Sequence, residues 1–343
     1  MDHIGIDLHK KDSQLCILNA EGGVLEVRIP TRADRFAEVL ANRPRAKLLL
    51  EASTESEWVA RHIESLGHEV IVADPNYAPM YGTRTRRVKT DRRDARALAE
   101  ACRSGTYRAA HRRSESRRTV AVRLSVRDTL VRTRSRFITV TRTSLRSHGL
   151  RAPSCEAEHF ARVVLEMALP DEVRDEVEPL LLMFDTLNAR IAKADADLEA
   201  IARDSAVVRR LTTAPGVGVV TAIAYDVVID DPKRFQSAQQ VSAYCGLVPS
   251  ELSSGEKQRK GRITKTGNAR VRWLLVQAAH CVLRSKSAES LPLREWAGKI
   301  HRRRGRAVAV VALARKLSGI LFAMMRDGKD FDGSRTCRGN AMA

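Results

Sequence analysis

The order of predicted strands and helices in the first hundred residues restricts the fold of this chain more than any other sequence feature. Three strands follow one another directly, and helix and strand then alternate. The run AKLLLE is apolar without alternation, which is typical of a central strand buried on both faces. This order predicts an α/β domain in which a mixed sheet carries helices on its faces. The predicted strands are HIGIDL, SQLCILN, VLEVRIP, AKLLLE and HEVIVAD, and the helices are TRADRFAEVLANR with Thr31 as N-cap, SEWVARHIESLG and the segment from Asp91.

The segment VKTDRRDARALAE, residues 88–100, places Asp91 and Asp94 at the start of a predicted helix. Residues three apart share one helix face, so the two carboxylates repel each other unless a cation lies between them. The neighbouring arginines could supply that cation, and so could a metal ion. A purely structural explanation is also open, because the helix dipole favours acidic residues in a first turn.

Two further acidic residues are predicted on strands that precede this helix. Asp7 lies in the first strand, and Glu51 ends AKLLLE, where a charge is costly unless it is coordinated or paired. Both could meet Asp91 and Asp94 at one end of the sheet, unless arginines pair with them instead. Four carboxylates suit Mg²⁺ or Mn²⁺ rather than zinc. Two such ions about 4 Å apart would activate a nucleophile at a phosphodiester and stabilise the leaving oxygen.

The charge of the chain indicates a polyanionic partner. With 60 Lys and Arg against 41 Asp and Glu, the formal net charge is +19, and nucleic acid is the first candidate. A membrane partner is not expected, because no lipidation motif or signal peptide is evident and Arg315 and Lys316 interrupt the most apolar stretch, 307–325. We interpret that stretch as a buried helix. Six cysteines without paired spacing favour a reduced, cytoplasmic location.

Residues 103–151 contain fourteen arginines and only two acidic residues. Apolar residues recur every seven positions from Leu124 to Leu145, which predicts one long amphipathic helix with a narrow apolar seam. A charged run is usually a solvated helix face, but charges of one sign repel each other, so we expect this helix to contact nucleic acid. The arginines predicted to make that contact are Arg123, Arg127, Arg132, Arg136 and Arg142.

A second apolar pattern follows between residues 156 and 205. From Val173 to Ile201 the apolar positions step by four and three without a break. This seam predicts a coiled coil. Its partner could be the arginine-rich helix, in an antiparallel hairpin, or a second chain.

After residue 209 the pattern indicates a separate, mostly helical unit. The segment LTTAPGVGVVTAIA resembles a helix-hairpin-helix motif, in which Gly216 and Gly218 would let the backbone approach a DNA phosphate at a helix N-terminus, although an ordinary tight turn is the alternative. The helix SAQQVSAYCG, a glycine-rich basic loop up to Asn268, the helix ARVRWLLVQAAHCVL and a helix over 306–326 follow. The tail after 328 has little to order it.

Several of these segments together resemble the transposases of insertion sequence family 110. The resemblance covers nearly the whole chain in the family's order, and its most specific parts are the DxxD pair and the SSG…GRITK.GN segment. The matching fragments are GIDLHK, LLLEAS, VKTDRRDARALAE, LTTAPGVGVVTA, VSAYCGLVPSELSSGEKQRKGRITKTGNARVRWLLVQAA and VALARKLSGILFAMMRDG.

The resemblance implies a RuvC-like domain of the RNase H-like fold with a catalytic set of three aspartates and one glutamate. Matched residue by residue, that set is Asp7, Glu51, Asp91 and Asp94. It also implies a serine nucleophile in the C-terminal domain, in a site completed by the carboxylates of another protomer. Ser254 is our choice, Ser253 the alternative and Ser250 a distant third.

The loop around these serines is basic, which suits a scissile phosphate, although a flexible loop with serines as turn residues is the alternative. The residues predicted to hold the phosphate are Lys257, Arg259, Lys260, Arg262 and Lys265. The resemblance further implies a structured guide RNA, donor and target double-stranded DNA, and a homo-oligomer, either dimer or tetramer.

We therefore predict a DNA transposase or recombinase that uses divalent metal, Mg²⁺ or Mn²⁺, and a transient phosphoserine link. The alternatives are a metal-dependent junction endonuclease that hydrolyses with water and a nucleic-acid-binding protein with a degenerate site. The predicted regions are a RuvC-like domain (1–102), a basic helix and coiled-coil region (103–208), a C-terminal helical transposase domain (209–328) and a disordered tail (329–343).

Overall fold

The computed structural model describes residues 1–82, 90–251 and 260–336, apart from the side chains of Lys260, Arg335 and Thr336. The chain divides into two compact units, Met1–Arg112 and Arg113–Ala343. The first unit contains β1 (His3–Leu8), β2 (Asp12–Leu18), β3 (Val24–Pro30), α1 (Ala33–Leu40), β4 (Lys47–Glu51), α2 (Ser56–Ser65), β5 (Glu69–Ala73) and α3 (Asp91–Ser104). The predicted order of strands and helices is confirmed.

The first unit is built on one mixed sheet with the strand order β3-β2-β1-β4-β5. The strands β1, β2 and β3 are antiparallel neighbours, whereas β1, β4 and β5 run parallel. The register pairs Ile6 with Leu50, so Asp7 and Glu51 follow at the same end of two adjacent strands. The predicted mixed sheet is therefore confirmed.

Helices cover both faces of this sheet. Leu48 and Leu50 belong to the core shared with α1 and α2, whereas Leu49 packs with Leu98 of α3 on the opposite face. Successive side chains of a strand point to opposite faces, which explains why Leu48, Leu49 and Leu50 are all apolar.

The predicted role of Thr31 as the N-cap of α1 is wrong. The helix begins after Arg32, whose side chain makes no capping hydrogen bond. The Thr31 hydroxyl instead donates to the His9 carbonyl oxygen at 2.7 Å and lies 2.7 Å from Ser13 Oγ. These two contacts stabilise the β1–β2 turn, because the pairing of β2 with β3 brings the end of β3 beside that turn.

The helix predicted over 103–151 is shorter than expected. Gly105 ends α3 in the left-handed conformation, at φ 71°, and the chain then runs beside β5. Ala109 forms a β-bridge with Ala73, and the Ala110 N–H donates to the Val72 carbonyl at 2.8 Å. Arg112 pairs with acidic residues of α2, which ties this segment to the first unit. The long helix begins only at Glu115.

The second unit is mostly helical. Its elements are α4 (Glu115–Ser147), α5 (Phe160–Leu165), α6 (Asp171–Leu181), α7 (Phe184–Asp204), α8 (Ala206–Thr212), α9 (Val219–Ile229), α10 (Ala238–Tyr244), β6 (Pro249–Glu251), β7 (Lys260–Ile263), α11 (Ala269–Arg284), α12 (Leu291–Arg304) and α13 (Arg306–Asp327). The helix α12 was not predicted.

The helix α4 packs antiparallel against α6 and α7 of the same chain. Near its start, Arg127 Nε donates to Asp195 Oδ1 of α7 at 2.7 Å, and near its end Ser144 Oγ donates to Glu176 Oε2 of α6 at 2.5 Å. Of the two partners considered for the apolar seam, the hairpin within one chain is therefore present in the described residues.

The helix that carries that seam is divided in the middle, although its buried apolar positions continue across the division. The helix α6 ends at Leu181 and α7 begins at Phe184, and the two linking residues, Leu182 and Met183, are exposed. Phe184 packs with Phe160 of α5 in a small separate core at the far end of α4.

The larger core of the second unit is built around α13. It contains buried side chains from each of the helices α8 through α13, together with Leu124 of α4 and Leu198 of α7. By length and composition α13 could cross a membrane, but half of its apolar window is buried inside the protein. Leu313, Leu317 and Leu321 are fully buried on its core-facing side, as predicted for a core helix.

Two segments of this unit differ in detail from their prediction. The basic loop before Asn268 is an antiparallel ribbon at its base, where β6 pairs with β7. Strands of three and four residues carry too little periodicity to be recognised in sequence. In the predicted tail, the Phe331 N–H donates to Thr213 Oγ1 at 3.0 Å and its ring packs on the core, while 337–343 lie outside the described residues.

Candidate functional site

The four predicted acidic residues lie together in the first unit. Asp7 is the penultimate residue of β1 and Glu51 the last residue of β4. Because β1 and β4 are parallel neighbours, their carboxyl ends meet at the same edge of the sheet. Asp91 and Asp94 occupy the first turn of α3, which crosses the sheet face that carries Asp7.

Gly5 allows α3 to lie directly on β1. A Cβ atom at this position would lie 2.1 Å from the Ala95 carbonyl oxygen and 2.2 Å from the Ala99 nitrogen, so only glycine fits. Gly5 and Asp7 are two residues apart and share one face of the strand. The contact at Gly5 therefore brings the first turn of α3 to the Asp7 carboxylate.

The first turn of α3 is fixed by its own cap. The Thr90 side chain accepts a hydrogen bond from the Arg93 N–H, and the Asp94 N–H donates to the Thr90 carbonyl at 3.0 Å. Asp94 is 5 % exposed, whereas Asp91 faces the edge of the cluster and is half exposed. A buried carboxylate at this position is costly without a partner of opposite charge.

His9 completes the cluster and was not predicted. Its Nε2 lies 3.3 Å from Asp7 Oδ2 and 3.6 Å from Asp91 Oδ1. Ligand atoms of the three residues lie within 4.8 Å of one another, close enough to share one metal ion. The only sequence signal was the spacing in GIDLHK, where a histidine two residues after Asp7 points to the same face.

The surroundings of Asp7 disfavour its charged form. Burial raises the pKa of Asp7, and the nearby Asp94, Asp91 and Glu51 carboxylates raise it further, while His9 opposes them. Asp7 Oδ2 is buried and has no hydrogen-bond partner among the described residues.

Glu51 is oriented by a tyrosine that was also not predicted. The Tyr81 hydroxyl donates to Glu51 Oε1. Tyr81 ends a short 3-10 helix just before the undescribed residues 83–89. Because the two residues are thirty apart in sequence, no local pattern could have indicated the contact.

Two arginines near the aspartate pair contact other carboxylates. Arg92 Nε lies 3.8 Å from Glu26 Oε2 on β3, and Arg96 Nε lies 3.3 Å from Glu100 Oε1 one turn along α3. These contacts direct Arg92 and Arg96 away from the aspartate pair.

The arginines predicted to bind nucleic acid fall into two groups. Arg123, Arg132 and Arg136 are exposed on α4. Arg127 is instead engaged by Asp195, and the Arg142 guanidinium lies 5.2 Å above the Phe160 ring. The three exposed arginines are accessible to a polyanion from solvent. Arg127 and Arg142 instead contribute to contacts between the helices of the second unit.

The predicted hairpin turn joins α8 to α9. Gly216 has φ 75°, and a Cβ there would lie 2.5 Å from the Ala278 carbonyl oxygen of α11, so the turn is packed closely against that helix. Gly218 is the N-cap of α9. A cleft of about 550 Å³ opens between the turn and the end of α11.

The described residues that flank the predicted nucleophiles form the β6–β7 ribbon. Ser250 Oγ donates to the Arg262 carbonyl at 2.9 Å across the ribbon, so this hydroxyl has a structural partner. Arg262 and Lys265 are exposed at its base. Ser253, Ser254, Lys257 and Arg259 lie outside the described residues, as does the side chain of Lys260.

Comparisons with known proteins agree on one class of enzyme. A family model described as Transposase IS116/IS110/IS902 family matches residues 208–293, and a model for DEDD transposases of IS110 matches residues 4–149. The chain is similar to the transposase for insertion sequence element IS1111A of Coxiella burnetii, with 28 % identity over 94 % of this chain and 89 % of that protein. It is also similar to the transposase for insertion sequence element IS1328 of Yersinia enterocolitica, with 29 % identity over 96 % and 98 %.

Proposed function

The chain belongs to the IS116/IS110/IS902 family of transposases, and on this premise we propose that its four clustered carboxylates hold the divalent metal ions that support DNA cleavage. The observation that carries the proposal is the convergence of Asp7, Glu51, Asp91 and Asp94 at one end of two adjacent strands. The mixed sheet with helices on both faces agrees with the RNase H-like fold of DEDD transposases.

The residues present fit a divalent metal. Carboxylate oxygens are hard ligands of the kind that Mg²⁺ and Mn²⁺ prefer. Asp7 Oδ2 is buried without a hydrogen-bond partner among the described residues, and its pKa is raised by burial and by the other carboxylates. A bound divalent cation would neutralise this charge and stabilise the charge that develops at a phosphodiester during strand cleavage.

The protein itself contributes the placement of these carboxylates. The backbone contact at Gly5 and the Thr90 cap hold the first turn of α3 against β1. The Tyr81 hydroxyl fixes the side chain of Glu51. Asp94 and Asp7 are largely shielded from solvent, which strengthens the electrostatic interactions of these two carboxylates.

Rejoining of the cut strands is assigned in this proposal to a serine. The Ser254 oxygen forms a bond to phosphorus as the bond to the leaving sugar oxygen breaks, and the serine proton passes to that oxygen. Attack by a second sugar hydroxyl then restores the serine, so the energy of the phosphodiester is kept. Ser253 is the alternative nucleophile. Exposed Arg262 and Lys265 at the base of the ribbon support phosphate binding there.

The partners in this proposal are donor and target double-stranded DNA and a guide RNA, in a homo-oligomer whose protomers complete each other's sites, within the cytoplasm. The net charge of +19 and the exposed arginines of α4 support a polyanionic partner. The guide RNA and the oligomer are carried over from the family resemblance.

Replacement of Asp94 tests the metal site. We expect Asp94→Asn to reduce DNA cleavage to background and to weaken Mn²⁺ binding in calorimetry, since the amide keeps the shape but removes the charge. Glu100→Gln is the matched control, because it lies on the same helix and pairs with Arg96. Near-normal cleavage and Mn²⁺ binding by Asp94→Asn would show that this carboxylate holds no catalytic metal.

A further inference from the structure

His9 is held in place more firmly than its exposed position suggests. It follows directly after β1, and its side chain is 54 % exposed. Its backbone is fixed on both sides, because its N–H donates to the Asp12 carbonyl at 3.3 Å and its carbonyl accepts the Thr31 hydroxyl at 2.7 Å. A side chain on so constrained a turn is presented in a defined direction.

The His9 side chain points toward the carboxylates of the cluster. Every second residue of a strand lies on the same face, so Gly5, Asp7 and His9 share one face of β1 and its continuation. The helix α3 packs on that face. His9 Nε2 lies between an oxygen of the strand, Asp7 Oδ2 at 3.3 Å, and an oxygen of the helix, Asp91 Oδ1 at 3.6 Å. The nitrogen is therefore placed among ligand atoms of two separate elements.

We propose that His9 is a nitrogen ligand of a divalent ion in this cluster and that it shifts the preference of the site from Mg²⁺ toward Mn²⁺. The inference rests on the proposed metal-binding function of the four carboxylates. It concerns a residue outside the predicted catalytic set of three aspartates and one glutamate.

The chemistry of the two ions explains the expected preference. Mg²⁺ favours oxygen ligands and retains several of its waters, so it gains little from an imidazole. Mn²⁺ stands in the transition-metal series and accepts nitrogen as well as oxygen ligands. A histidine among carboxylates therefore raises the affinity for Mn²⁺ more than that for Mg²⁺.

A competing role for His9 leads to a different result. As an imidazolium, His9 would balance the carboxylates in place of a metal ion and compete with any divalent cation. Its removal would then strengthen the binding of both ions. As a ligand, its removal weakens the binding of Mn²⁺ and leaves that of Mg²⁺ nearly unchanged.

Metal binding by the full-length chain at neutral pH separates these roles. Calorimetry with Mn²⁺ and with Mg²⁺, and the electron paramagnetic resonance of free Mn²⁺, are compared for the wild type, His9→Ala and Thr31→Val. We expect His9→Ala to lose about tenfold or more in Mn²⁺ affinity, with less than about threefold for Mg²⁺. Thr31→Val keeps the imidazole but loosens its backbone, and an intermediate loss supports the proposal.

Lys10→Ala is the control for an altered turn, since Lys10 is exposed beside His9. The proposed role of His9 would be overturned if His9→Ala bound each ion as tightly as the wild type does, or bound both ions more tightly. Either result would leave the carboxylate site standing. A wild type that binds neither ion would overturn the proposed metal function and this inference together. Thermal unfolding without metal confirms that each variant is folded.

Discussion

A Cβ atom on Gly5 would lie 2.1 Å from the carbonyl oxygen of Ala95, so β1 and α3 touch through their backbones at this point. Close approach of a helix to a strand is normally prevented by the side chains between them, and glycine has none. Here the absence of a side chain at one residue decides how near the first turn of α3 comes to Asp7. The position of the carboxylate cluster therefore depends on a residue that carries no chemistry.

Gly5→Ala should displace α3 and separate the carboxylates. We expect a loss of unfolding free energy of about 1–3 kcal/mol in urea denaturation, because a methyl group must be forced against backbone atoms. DNA cleavage and Mn²⁺ binding should fall together. Gly298→Ala is the control, since its Cβ would meet nothing within 4 Å and alanine favours a helix. A Gly5→Ala protein as stable and as active as the wild type would contradict the backbone contact.

The exposed arginines of α4 should determine the salt dependence of nucleic acid binding. We expect the double variant Arg132→Ala, Arg136→Ala to weaken binding and to reduce the slope of log K against log salt by about two, because each phosphate contact contributes about 0.9. Arg127→Ala should leave the slope unchanged and instead lower stability by about 1 kcal/mol, since Arg127 is engaged by Asp195. Identical slopes for the double variant and the wild type would remove these arginines from the interface.

The serine nucleophile should be revealed by a covalent protein–DNA adduct. We expect Ser254→Ala to lose the adduct and strand exchange while DNA binding persists, and Ser253→Ala to have a milder effect. Ser250→Ala is the matched control, because its hydroxyl is bonded to the Arg262 carbonyl across the ribbon. Mass spectrometry locates the DNA on one residue. An adduct on Ser253 would reassign the nucleophile, and DNA cleavage without any adduct would favour hydrolysis by water.

Acid should weaken the attachment of residues 106–112 to β5. The backbone N–H of Asn76 and the Arg108 side chain lower the pKa of Asp74 below its usual value. The unfolded chain therefore takes up a proton at higher pH than the folded protein, and the stability that Asp74 provides is present above about pH 4 and is lost as the pH falls. Unfolding free energies measured between about pH 5 and pH 3 should fall less steeply for Asp74→Asn. Equal pH dependence in both proteins would rule out this contribution.

The sheet and the four carboxylates could be predicted because each depends on short-range pattern. Buried strands are apolar in continuous runs, and a charge such as Glu51 at the end of such a run requires a partner. Parallel neighbours then bring strand ends together without further information. The same reasoning could not find Tyr81 or the packing direction of His9, because both depend on contacts between distant segments.

Errors arose where local signals competed. Thr31 has the residue type and position of an N-cap, but its hydroxyl bonds more favourably to the β1–β2 turn. The buried apolar positions Val177, Leu181, Phe184 and Leu187 continue across the division between α6 and α7, so the apolar periodicity does not reveal it. The ribbon β6–β7 was missed because its strands are too short to show alternation.

The strand order β3-β2-β1-β4-β5 also determines how the two open edges of the sheet are protected from aggregation. At β5, Ala109 occupies part of the edge as the chain leaves the unit. At β3, the exposed Val24 and Leu25 would favour strand addition by another molecule. Pro30 lacks an N–H donor at the end of that strand, and the charges of Glu26 and Arg28 along it oppose in-register stacking of identical copies. These features oppose the addition of a strand from another molecule at both edges of the sheet that carries the acidic cluster.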